Sequence, residues 1–187
     1  ADGVILKNTF DVKAFPTLVF VDPNTRQVVH KMVGAGSAEW LMEGGKIAND
    51  PRNNLSGLTM RYDAGERSVD LLSRYLNALA SAYMQEKQGA VAAEYLNALS
   101  DDEIVTKENW DLIKKNVSDP LSKPLRQVMA NIGRFYEVAG KEVVDYKLEM
   151  AIKGAVSEIA YWRPGNGDFD EARNTELVKL LQSLDYA

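Results

Sequence analysis

The sequence predicts an α+β protein that is predominantly α, and three features predict it. A β-branched and aromatic run opens at a proline in Phe15-Pro16-Thr17-Leu18-Val19-Phe20-Val21-Asp22, and turn residues separate it from a second extended stretch. From about residue 53 the apolar residues recur with a period of 3.6 instead of two, almost to the end. No cysteine occurs among the 187 residues. The expected division is a first domain over residues 1–50 and a helical domain over residues 51–187.

Val4 to Phe10 reads as a short helix, capped by Asp2, with Leu6 and Phe10 one turn apart. Pro16 is tolerated where it stands because the ladder begins there, so its missing N–H and fixed φ do least harm. Asp22-Pro23-Asn24-Thr25 has turn chemistry, with proline second and asparagine third. Gln27 to Val33 returns as the second strand, and Gly34-Ala35-Gly36 breaks it. Ser37 caps a helix over Ala38-Glu39-Trp40-Leu41-Met42, ended by Asp50-Pro51.

The remainder reads as helices. Asn54 to Tyr62 forms a short one before Ala64-Gly65. Ser68 caps a long one to Lys87, with Leu72, Tyr75, Leu76, Leu79 and Tyr83 on one stripe. Gly89 is placed as its left-handed C-terminal residue, with Ala90 to Leu99 as the partner of a helical hairpin. Ser100-Asp101-Asp102-Glu103 is a capping-box pattern, and Thr106 starts a helix that turns Trp110, Ile113 and Val117 inward until Ser118-Asp119-Pro120. Ser122-Lys123-Pro124 opens another to Ala139-Gly140, lined by Leu125, Met129, Ile132, Phe135 and Tyr136. Val143 to Trp162 follows, closed by Arg163-Pro164-Gly165-Asn166-Gly167. Asp168 with Glu171 starts the last helix, which carries Leu177, Leu180, Leu181 and Leu184.

Composition excludes several function classes. Apolar residues make up 45 % of the chain and charged ones 26 %, which argues against disorder. A net charge of −5 argues against nucleic acid as a partner. No apolar run reaches the roughly 20 residues a membrane helix needs, so no span is expected. His30 is the only histidine, and alone it builds neither a zinc site nor a nucleophilic triad; it is read as a surface or edge-strand residue. The acidic runs at Asp101-Asp102-Glu103 and at Asp168, Asp170 and Glu171 are explained by helix dipoles before any metal. Gly165-Asn166-Gly167-Asp168 lacks the ligand spacing of a calcium loop. No cofactor or metal is expected. The aromatics Tyr75, Tyr83, Tyr161 and Trp162, at helical spacing, are read as core before interaction surface.

The succession over residues 1–50 of short helix, proline-led strand, turn, return strand, glycine and helix resembles the C-terminal half of a thioredoxin-fold domain. Asp11-Val12-Lys13-Ala14-Phe15-Pro16-Thr17 matches that family's approach to its cis-proline. The resemblance implies that Phe15, Pro16 and Thr17 line a substrate face where bound peptide pairs with backbone. It also implies a Cys-x-x-Cys, whose thiolate attacks a disulfide sulfur, and no other side chain replaces it. The chain as it stands is therefore expected to exchange no disulfides and to hold no catalytic residue. It reads as a fragment of a longer protein whose redox motif lies upstream, in preference to a natural protein that lost its catalytic half.

Leu79-Ala80-Ser81-Ala82-Tyr83, followed by Gly89, Ala92 or Ala93, Leu96 and Ala98, resembles one degenerate tetratricopeptide unit. Gly65-Glu66-Arg67, Tyr95-Leu96-Asn97-Ala98-Leu99 and Trp110-Asp111-Leu112-Ile113 resemble bacterial thioredoxin-like proteins whose redox domain is followed by a helical extension. These resemblances imply a partial thioredoxin-like fold followed by an antiparallel helical bundle or helical-repeat region. They imply a periplasmic or cell-envelope thiol-disulfide oxidoreductase or isomerase as the parent, with a protein or peptide substrate. The alternative is a helical-repeat protein-protein interaction module without enzymatic role. A two-stranded hairpin is marginal alone, so Leu18 to Val21 is expected to be rescued by packing on helices or by pairing with a second copy as a homodimer.

Overall fold

The computed structural model describes residues 2–162 and 169–183, apart from the side chain of Asp2. The expected Asp2 cap, the closing loop 163–167, the Asp168 helix start and Leu184 lie outside the described residues. Within them the fold is α+β and mostly helical, with ten helices and one two-stranded antiparallel sheet.

The order is α1 (Asp2–Thr9), β1 (Thr17–Val21), β2 (Val28–Val33), α2 (Ala38–Ala48), α3 (Leu55–Asp63) and α4 (Val69–Ser81). There follow α5 (Gln85–Ala98), α6 (Lys107–Asn116), α7 (Lys123–Ala130), α8 (Ile132–Ala139), α9 (Lys141–Ala160) and α10 (Glu171–Ser183). Two compact units divide the chain within α5, at Ala92/Ala93.

In the first unit the strands pair Thr17 with Val33, Leu18 with Met32, Val19 with Lys31 and Phe20 with His30. The next pair is Val21 with Val28, so Val29 is the extra residue of a bulge. The connecting turn is longer than the four residues expected. Asp22 Oδ1 accepts the Asn24 and Thr25 N–H groups at 2.7 and 3.1 Å, and the loop closes one residue later, where Arg26 takes a φ of 59° and its N–H reaches the Asp22 carbonyl. A sheet of two strands needs a support. Here β2 packs on α2, α3 and α4, while the outer edge of β1 pairs with no described strand.

Local signals fix these helices where the sequence placed their starts. Ser37, Asn54 and Ser68 each accept a backbone N–H of the first turn of α2, α3 and α4, relieving donors the helix leaves unpaired. Leu58, Leu71, Leu72, Tyr75 and Leu79 are fully buried, each worth roughly 1.5–3 kcal/mol of transfer free energy for side chains of this size. The Tyr62 ring lies 5.3 Å from that of Tyr75 and carries the Arg67 guanidinium 3.8 Å above its centroid.

The helix expected to run to Lys87 instead ends at Ser81. Tyr83 takes a φ of 57°, its N–H bonds to Ala80 O and the Met84 N–H to Leu79 O. That is a Schellman closure with tyrosine where glycine is usual. Gly89 lies inside α5 and is not a C-terminal cap. The apolar stripe 72, 75, 76, 79 would have continued onto Glu86 and Lys87, so a straight helix had nothing left to bury.

In the second unit α7, α6 and α9 pack on α8, and α10 packs on α9. Trp110, Ile113, Leu125, Val128, Phe135, Val144 and Leu177 form its core, with Trp110 and Phe135 rings 5.8 Å apart. The capping box at Ser100 forms reciprocally, Ser100 N–H to Glu103 Oε2 at 2.9 Å and Glu103 N–H to Ser100 Oγ at 3.3 Å, yet it closes only a single turn. Thr106 accepts the Asn109 N–H and begins α6. The single helix expected over 122–139 is broken at Asn131, giving α7 and α8. Asp170 Oδ1 caps α10 by accepting the Arg173 N–H at 2.8 Å.

Candidate functional site

Phe15, Pro16 and Thr17 lie where the segment after α1 enters β1. Phe15 is 72 % exposed, Pro16 is exposed and Thr17 is half-buried. The Phe15-Pro16 peptide is cis. Two bonds fix the segment: the Gly34 N–H donates to Pro16 O at 2.9 Å, and the Thr17 hydroxyl donates to Ala14 O at 2.6 Å. Gly34 has a φ of 116°, which a side chain would strain.

The Pro16-Gly34 rung also sets which backbone groups are free. Hydrogen-bonded and non-bonded pairs alternate along an antiparallel ladder. Leu18-Met32 and Phe20-His30 are therefore the bonded pairs, and Thr17, Val19 and Val21 turn their N–H and C=O groups to the open edge of β1. An exposed aromatic thus stands at the entrance of an open strand edge, a surface suited to an extended peptide.

The approach to this site is held by charge. Lys13 lies 2.6 Å from Asp11, which has a φ of 46°, and the ammonium holds the Asp11 carboxyl below the usual carboxylate range. Lys31 Nζ donates to Phe10 O at 2.5 Å, tying β2 to the end of the α1 segment. A cleft of about 400 Å³ opens beside it, lined by Asp11, Lys13, Tyr83 and the first turn of α5. Tyr83 gave no sequence signal for this place, since tyrosine is not a residue that turns commonly recruit into a left-handed conformation.

His30 is not a surface residue. It is 3 % exposed, and its Nδ1 accepts the Leu55 N–H at 3.2 Å. Burial pushes its pKa below the ordinary histidine value. The parity of the strand carries the signal that finds this: His30 shares a face with the buried Met32 and lies opposite Phe20, whose ring is 6.1 Å away.

Of the aromatics read as core, Tyr75 is fully buried, while Tyr83 is 46 % and Tyr161 73 % exposed. Tyr83 left the stripe when α4 ended before it, and Tyr161 follows the last residue of α9. Trp162 is half-buried, with its ring 5.4 Å from that of Phe169. Helix α9 buries Val144, Leu148, Ala151 and Ala155 on one face and leaves Val143, Tyr146 and Met150 exposed on another. Among the described residues no three His, Asp or Glu side chains converge on a metal-sized site. No described helix is long and apolar enough to cross a membrane. No protein-family model, no curated protein and no solved structure matches the chain.

Proposed function

We propose that residues 1–50 are the substrate-facing part of a thioredoxin-like domain, belonging to a thiol-disulfide oxidoreductase or isomerase of the periplasm or cell envelope. The observation that carries the reading is the exposed Phe15 and Pro16 at the mouth of an open strand edge, within the succession of helix, hairpin, glycine and helix. With no cysteine the chain has no thiolate to attack a disulfide, so the activity assigned to it is peptide holding and not exchange. Phe15 supplies apolar area, and the free groups of Thr17 and Val19 pair with peptide backbone. NMR titration with an unfolded, extended peptide tests this: the amide signals of Phe15, Thr17 and Val19 shift, and Phe15→Ala weakens the binding. Shifts confined to other residues overturn the reading.

A second reading, a helical interaction module, is favoured by one observation, the exposed Val143, Tyr146 and Met150 of α9. It expects Tyr146→Ala and Met150→Ala to leave the urea midpoint unchanged, because these side chains bury little within the chain. A drop in midpoint assigns the face to the fold.

A further inference from the structure

The buried imidazole of His30 joins two parts of the first unit that share no covalent neighbourhood. It sits in the middle of β2, and its Nδ1 accepts the N–H of Leu55, the first residue of α3. That N–H is one of the donors a helix leaves unpaired at its start, and the Asn54 cap is spent on Gly57. An Nδ1 that accepts places the proton of a neutral ring on Nε2. Protonation would set an N–H against an N–H at the positive end of a helix dipole.

Among the described residues, no charge on the elements packed around His30 compensates. On α2, Glu39 and the Glu43-Lys46 pair are exposed. On α3, Arg61 is paired with Glu66, and Asp63 is exposed at the last residue. On α4, Asp70 holds Arg74, and the Tyr75 hydroxyl meets Thr59. In the connecting loop Asp50 is engaged by Arg52 and Asn53. β1 carries no charged residue, and Lys31 of β2, adjacent in sequence and so on the opposite face, reaches Phe10 O.

We propose that His30 is a proton-operated latch between the hairpin and the start of α3, closed when the imidazole is neutral and released when it is protonated. The sign follows from linkage: a group that binds its proton less readily in the closed state favours opening as pH falls. The latch is fully closed above the ordinary histidine value of about 6.5 and weakens below it by up to about tenfold per pH unit, until the imidazole's own midpoint is passed.

NMR of the whole chain from pH 8 downward tests it. The expected result is a His30 midpoint below about 6.5, a Leu55 amide protection factor that falls over the same range, and no such fall in His30→Asn, whose Oδ1 accepts without titrating. A midpoint at or above the ordinary value, a Leu55 protection factor indifferent to pH, or an acid step that persists in His30→Asn each overturns the proposal. If His30→Asn does not fold, the wild-type titration decides alone.

Discussion

Replacing Gly57 with alanine should destabilise the first unit, against the usual direction of that exchange in a helix. An added Cβ would overlap the Pro51 carbonyl oxygen and stand 2.7 Å from its carbonyl carbon and 3.0 Å from its Cα. Pro51 cannot readily yield, because Asp50 O accepts the N–H groups of Asn53 and Asn54, and Asp50 Oδ1 that of Arg52. Helix propensity favours alanine by about 1 kcal/mol. Against it stand roughly 1–3 kcal/mol for forced contacts and about 1 kcal/mol for the Asn54 cap, whose bond to the Gly57 N–H is 2.8 Å. The net loss is about 1–3 kcal/mol.

Gly89→Ala in α5 is the matched control, since nothing lies within 4 Å of its Cβ position. It should gain about 0.5–1 kcal/mol. Urea titration followed through the amide signals of Leu58 and Leu71 separates the two. With a slope of about 1–3 kcal/mol/M, Gly57→Ala lowers the midpoint by on the order of 1 M and Gly89→Ala raises it slightly. A Gly57→Ala midpoint at or above the parent's would refute the backbone contact as the reason for glycine at that position.

Thr106→Ala removes the acceptor of the Asn109 N–H and should cost about 1 kcal/mol in urea unfolding of the second unit. Phe135→Ala should cost about 3–5 kcal/mol and red-shift tryptophan emission, because Trp110 loses the ring beside it. Arg173 clamps α10 through two 3.0 Å bonds to Asp119; Arg173→Lys should lose about 0.5–1 kcal/mol, since the partners' side chains are 32 % and 42 % exposed. Burial pushes the Asp119 carboxyl up, but the Arg173 guanidinium and the Leu121 N–H outweigh it, leaving the pKa below the ordinary value. The clamp therefore contributes in full above the ordinary aspartate value of about 4 and is lost progressively as pH falls below it through the lowered pKa of Asp119, and hydrogen exchange in α10 should accelerate there first.

What could be read in the residues was mostly local chemistry. Ser37, Asn54, Ser68 and Thr106 act as the caps their side chains promise, because the acceptor and the donors it serves lie within one turn. Breaks without glycine or proline were invisible. Tyr83 and Asn131 interrupt what periodicity alone makes continuous, Tyr83 by taking a left-handed conformation and Asn131 by standing between α7 and α8. The Ser100 box shows the converse, a correct local motif with no helix behind it. At the candidate site, Phe15, Pro16 and Thr17 were legible as a strand entrance. The open edge needed the pairing register, and the hydrogen-bond partner of His30 needed α3, which lies 25 residues on.

The register at Pro16 and Gly34 has a cost in solution. Thr17, Val19 and Val21 are all β-branched, and the row of backbone groups they leave free is a template on which like strands can stack. Proteins guard such edges with lysine, proline or a bulge. β1 has Pro16 before its first residue and the Val29 bulge opposite its last, and no charge between them. Those two irregularities, one at each end of five residues, are the guards of this kind that the strand carries.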